Sequence, residues 1–231
     1  MSESRLRWLL VTVVAAVFAA TFVVTALVNL FPASGDARFP PPVSGQAVYD
    51  RAGVISAEDH EALESEIDAI EARSGAELAV YVQVDPTLTE DANLAAAHAL
   101  MDQWGVGRAG FDDGLVILVS LDADRVHGHV SLYAGSGFLR AYLSEGDLKS
   151  VIDQVIVPAA RQQQLGAGLV LAVQAIDAAI TPDATARLEL LRVVNAGLGL
   201  VGAPLALLLT AGSALWAWRR EGVDPHVLDS P

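Results

Sequence analysis

Two uncharged apolar runs frame this chain and decide what it can fold into. From Trp8 to Gly35 no residue is charged, and the apolar core from Leu9 to Leu30 exceeds the roughly 20 residues needed to span about 30 Å of hydrocarbon. From Val193 to Trp218 charge is again absent, and the run ends in Trp216, Trp218, Arg219 and Arg220, an aromatic girdle followed by basic anchors. With 53% hydrophobic and 18% charged residues and a mean hydropathy of +0.42, the 231-residue chain is too apolar for an ordinary soluble domain. The spacing predicts transmembrane helices over 8–31 and 190–218, both in contact with a lipid bilayer.

Basic residues sit at the outer ends of both runs: Arg5 and Arg7 before the first, Arg219 and Arg220 after the second. The positive-inside rule then puts both termini in the cytoplasm, with a short tail over 219–231, and residues 36 to 187 outside the cell membrane. The first run is longer than the roughly 7 to 15 apolar residues of a signal peptide, so it reads as an uncleaved anchor. Gly197, Gly199 and Gly202 in the second run leave room for a neighbouring helix to approach.

The charge imbalance lies in the middle. Residues 36–187 hold 23 Asp and Glu against 9 Lys and Arg, which accounts for the whole net charge of −14. Such a surface repels nucleic acid and anionic headgroups, and attracts cations or a basic protein face. The chain has no cysteine, which excludes disulfides and thiol chemistry.

Residues 32–46 are rich in proline, glycine and serine and read as a tether. The domain expected over 47–182 alternates helix and strand patterns. Ser56-Ala-Glu-Asp59 starts a helix that carries Leu63, Ile67 and Ile70 on one face and ends near Gly75. Leu78–Val84 is a strand, Glu90–Gln103 an alanine-rich helix, and Leu115–Leu121 a buried strand. Val130–Ala134 is a further strand. Ser144 and Asp147 cap a helix towards Arg161 that Pro158 kinks or breaks, and a last helix covers Leu165 to Ile180. This order predicts an α/β sandwich with helices on both faces of the sheet.

Before the Leu115 strand runs Trp104-Gly-Val-Gly-Arg-Ala-Gly-Phe-Asp112-Asp113-Gly114, glycine-rich and acidic. Two adjacent carboxylates offer oxygen ligands to a hard cation, and the same residues also suit a charged turn. Asp122 and Asp124 after the strand imitate an aspartyl-phosphatase motif but lack its partners, and fit a polar turn. His127 and His129 share one side of a strand without a third ligand, which fits a solvated hairpin.

Five segments carry a resemblance in order and spacing: Val48–Ser56, Gly75–Val82, Trp104–Gly107, Asp112–Val119 and Val155–Pro158. Together they resemble the TPM-domain family over about residues 47 to 181. The resemblance implies a Rossmann-like α/β/α sandwich flanked here by two transmembrane helices. It also implies display outside the cytoplasmic membrane or in the thylakoid lumen, calcium binding, acid phosphatase activity in some members, and roles in maintaining membrane protein complexes. The family's acidic loop maps onto Asp112 and Asp113, and its aspartate after the first strand maps onto Asp50. Where the family has an aspartate near position 145 this chain has Glu145, and Leu139-Arg140 replaces an acidic residue after Gly135-Ser-Gly137. The implied metal set is Asp50, Asp112, Asp113 and Glu145, with Ca2+ as its ion. The expected function is an accessory or assembly subunit of a membrane protein complex; the alternative is a calcium-dependent acid phosphatase.

Overall fold

The computed structural model describes residues 38–197 and Gly212. The expected span over 8–31, the cytoplasmic tail and all of the second span beyond Gly197 except Gly212 lie outside the described residues. Among the described residues no single helix is long and apolar enough to cross a membrane. The bent pair Leu165–Ala179 and Pro182–Leu191 reaches that length and composition together, at 66° to each other. Its first member is a core helix, with Leu169, Ala172, Val173 and Ile176 fully buried.

Residues Ala37–Arg192 form one compact unit around a four-stranded sheet. Its strands are β1 (Val48–Asp50), β2 (Leu78–Val84), β3 (Leu115–Leu121) and β4 (Gly128–Ala134), in that spatial order. β1, β2 and β3 are parallel, and β4 returns antiparallel to β3 through a hairpin. All seven residues of β3 are buried, as its unbroken apolar run predicts for a strand covered on both faces.

Side-chain alternation sorts the sheet into two faces. On one, Val48, Val80, Ile117 and Leu132 pack against Leu63, Ile67 and Ile70 of α1 (Ala57–Ser74) and against α6 (Leu165–Ala179). On the other, Tyr49, Tyr81 and Leu118 pack against Ala96, Ala97 and Leu100 of α2 (Glu90–Trp104). The expected sandwich with helices on both faces is present. Steps β1 to β2 and β2 to β3 run in the same direction, yet their helices lie on opposite faces. The two crossovers therefore have opposite hands, and one departs from the right-handed rule that parallel units otherwise follow.

Local signals act where they were read. The Ser56 side chain accepts from Asp59 N, and Gly75 ends α1 at φ 72°. After the short α3 (Ser136–Ala141), Ser144 and Asp147 form a reciprocal capping box on α4 (Glu145–Val151). α4 runs through a π turn (Ile152–Ile156) into α5 (Val157–Arg161). Pro158 therefore produces neither a break nor a free end: the wider turn before it absorbs the missing donor. α7 (Pro182–Gly197) follows the core helix.

The described part of the proline-rich segment is docked on the domain. Phe39 is buried against Tyr81, Trp104 Nε1 donates to Pro40 O at 2.9 Å, and Gln103 bonds both backbone groups of Phe39.

Candidate functional site

The acidic glycine loop is held from inside. Asp113 is fully buried. Its Oδ2 accepts from Nε and Nη2 of Arg108 at 2.8 and 2.6 Å, and its Oδ1 accepts from the Arg108 backbone N–H at 2.9 Å. The guanidinium lies 3.8 Å from the ring centroid of Phe111. Two planar hydrogen bonds to one buried carboxylate suit arginine's fork and neutralise the charge that burial would otherwise oppose.

Asp112 is exposed and left-handed, at φ 54°. Its Oδ2 accepts from Ser136 N at 2.6 Å, and its carbonyl accepts from Gly137 N and Phe138 N at 2.8 and 3.1 Å. The loop thus stitches the start of β3 to the start of α3. Close backbone contact explains its glycines: a Cβ on Gly114 would enter the Val106 carbonyl, and one on Gly137 the Phe111 carbonyl.

Asp50 lies at the other end of the parallel strands. It stands in register with Val82, and through it with Val119, four residues beyond Leu115. At about 3.3 Å per residue, that is at least ~13 Å from the acidic loop along the strand direction. Its carboxylate accepts from Gly53 N and Ile55 N, both at 2.8 Å, and so closes the turn into α1.

Glu145 is the exposed first residue of α4, at the same end of the sheet as Asp112. Both act on the Tyr133 phenol: burial raises its pKa first, and the charges of Asp102, Asp112 and Glu145 raise it further. The fold therefore brings Asp112 and Glu145 to one rim, turns Asp113 inward to Arg108, and carries Asp50 away. Calcium takes about six to eight oxygen ligands. Among the described residues no three Asp, Glu, His or Cys come together as a group able to hold a metal ion. The four residues as placed do not fit a shared calcium site.

Asp122–His127 forms the hairpin turn anticipated for it, with His127 Nδ1 2.7 Å from Asp124 Oδ2. Ser136 starts α3, its N–H donates to the Asp112 carboxylate and its Oγ accepts from Arg140 Nη2 at 3.2 Å.

A groove of about 330 Å³ runs beside β4, between the start of α2 and the α4–π-turn segment. Glu90 and Asp91 line one wall, Glu145, Lys149 and Asp153 the other, and Val130 to Ala134 the floor. Lys149 Nζ is 3.0 Å from Asp153; that hydrogen bond raises its pKa first, and the charges of Asp153 and Glu90 raise it further. Sequence reasoning missed this groove and the Arg108 partner of Asp113. Glu90 and Asp91 signalled only a helix start, and no local pattern marks β4 as the last strand of the sheet.

Residues 48–179 match the family model of the TPM domain. No curated protein matches the chain. Among solved structures, the N-terminal domain of a P. gingivalis protein is similar at 29% identity and a TM-score of 0.48, covering 59% of this chain and 83% of that one. A protein from the psychrophilic bacterium Bizionia argentinensis is similar at 18% identity and a TM-score of 0.41, over 55% of this chain and 81% of that one. The N-terminal domain of a Corynebacterium glutamicum protein gives 14% and 0.44, over 62% and 84%. With the TPM-domain model matched over more than half of its length, this chain belongs to the TPM-domain family.

Proposed function

We propose that this protein is a membrane-anchored, extracytoplasmic binding module that docks on a membrane protein complex and supports its assembly or stability. The observation that carries this reading is the engagement of the acidic loop in the fold. Asp113 is buried on Arg108 and Asp112 caps α3, so neither is an unengaged carboxylate in a reaction cleft. A hydrolase at this loop would have to work through the one Asp112 oxygen that Ser136 does not take, since Asp113 is enclosed on its arginine. The domain instead offers a strongly acidic surface, a feature suited to recognising a basic protein face. The two apolar runs supply the anchors in this reading, and they hold the domain at the membrane beside its partner.

Native electrophoresis of membranes solubilised in mild detergent tests this. The expected result is co-migration of the full chain with a membrane complex whose abundance falls when the chain is deleted. Migration of the chain alone, with every membrane complex unchanged in abundance after deletion, would overturn the reading.

A further inference from the structure

The last strand of the sheet lies along the groove with one row of its peptide groups unpaired. In the β3–β4 ladder, Gly135 N donates to Gly114 O and Asp122 N to His127 O. These bonds set the phase: residues 127, 129, 131, 133 and 135 turn their N–H and C=O towards β3. Val130, Leu132 and Ala134 turn theirs the opposite way, to the side where the sheet has no further strand. Among the described residues nothing pairs with those groups.

Unpaired strand edges invite another strand, and proteins guard them with charge. Here the guard is mostly negative. Four carboxylates, Glu90, Asp91, Glu145 and Asp153, stand against the single ammonium of Lys149, which Asp153 already pairs. A second copy of this chain, at net charge −14, is repelled from such a rim. A basic strand is attracted, and Leu94, 46% exposed on the α2 wall, offers it an apolar contact.

We propose that this groove binds an extended, Lys- or Arg-rich segment of a partner protein, which adds to the sheet as a fifth strand beside β4. Val130, Leu132 and Ala134 supply the backbone pairing, and the two acidic walls read the alternate side chains of the incoming strand. The proposal rests on the binding-module reading and names the chemistry of its partner.

The test uses the full chain in detergent micelles and a synthetic peptide of about ten residues alternating Lys and Thr. Its controls are the same peptide with Glu for Lys and with Pro at a central position. The expected result is saturable binding of the Lys peptide, slower hydrogen exchange at Val130, Leu132 and Ala134, and binding about tenfold weaker for the Pro peptide, which loses a backbone donor. The Glu peptide is expected not to bind. The double variant Glu90→Lys, Asp91→Lys, both exposed on the first turn of α2, should keep the fold by circular dichroism and weaken the Lys peptide about tenfold. No binding of the Lys peptide overturns the proposal. So does equal binding of the Lys and Pro peptides with exchange unchanged, which would mean charge attraction without strand pairing.

The native-gel experiment separates the two claims. Co-migration with a membrane complex that survives Glu90→Lys, Asp91→Lys unchanged overturns the groove as docking site and leaves the module reading standing. Peptide pairing in a chain that migrates alone upholds the groove and overturns the module reading.

Discussion

Arg108 and Asp113 are five residues apart in one loop, and the guanidinium of the first closes on the buried carboxylate of the second through two hydrogen bonds. Arg108 also reaches Glu189 of α7 at 3.9 Å. The pair turns a loop composed like a ligand cradle into a staple beneath β3. Replacing Arg108 by Met leaves Asp113 charged, buried and without its cation. Urea unfolding of the variant should show a loss of about 3–5 kcal/mol, because a buried charge without a partner is costly. A loss under about 1 kcal/mol would mean that the pair is ornamental to the fold.

Asp112 has a smaller structural role. Asp112→Ala removes the carboxylate that accepts from Ser136 N, and it places alanine at a φ of 54°. Thermal unfolding should show a loss of about 1–2 kcal/mol, the usual cost of a lost cap, with a smaller loss for Asp112→Asn, which tolerates the left-handed region. Equal losses in both variants would show that the cap does not depend on that geometry.

The glycines of the loop are steric requirements. Gly137→Ala drives a methyl group into the Phe111 carbonyl, and the backbone of α3 must shift away from the loop. A loss of about 1–3 kcal/mol is expected from overpacking of this kind, read by chemical denaturation. Gly53→Ala is the control, since open space surrounds that position. It meets only the backbone strain of φ 66°, and a larger loss there than at Gly137 would contradict the packing argument.

The β3–β4 hairpin should respond to pH through two partners. Hydrogen bonds from His127 and the turn backbone hold Asp124 at about 2, below its ordinary 3.8, and Asp124 raises His127 above 6.5. Asp124 contributes to the folded turn above pH 4 and loses that contribution as pH falls through about 2. His127 contributes below pH 6.5 and loses its contribution as pH rises through its raised value. Both are therefore fully present between about pH 4 and 6.5. In an NMR titration the His127 midpoint should fall in Asp124→Asn. An unchanged midpoint would show that the contact is not kept in solution.

Much of the fold is legible in the sequence because its signals are local. Ser56 and Gly75 bound α1, the run Leu115–Leu121 reads as a doubly covered strand, and Ser144 with Asp147 declares a capping box. What escapes is non-local. The family pattern sets Asp50 beside the acidic loop, but β1 runs parallel to β3, so a residue after one strand and a residue before the other stand at opposite ends of the sheet. Asp113 is identical in type to Asp112, and only burial separates an inward ion pair from an exposed cap. Phe39 in a proline-rich segment gives no sign that Tyr81 and Trp104 await it. The opposite hands of the two crossovers and the unpaired side of β4 are properties of strand order, which no residue pattern encodes.

Under the proposed function the acidic loop serves the fold and the domain serves binding. Phosphomonoester turnover by the full chain in detergent, with calcium and with a chelator, tests it most directly, beside Asp112→Asn and Asp113→Asn. No turnover above background is expected in either condition, with a measurable loss of stability in Asp113→Asn. Saturable calcium-dependent turnover, abolished in both variants while their folds persist, would contradict it and make this protein a hydrolase.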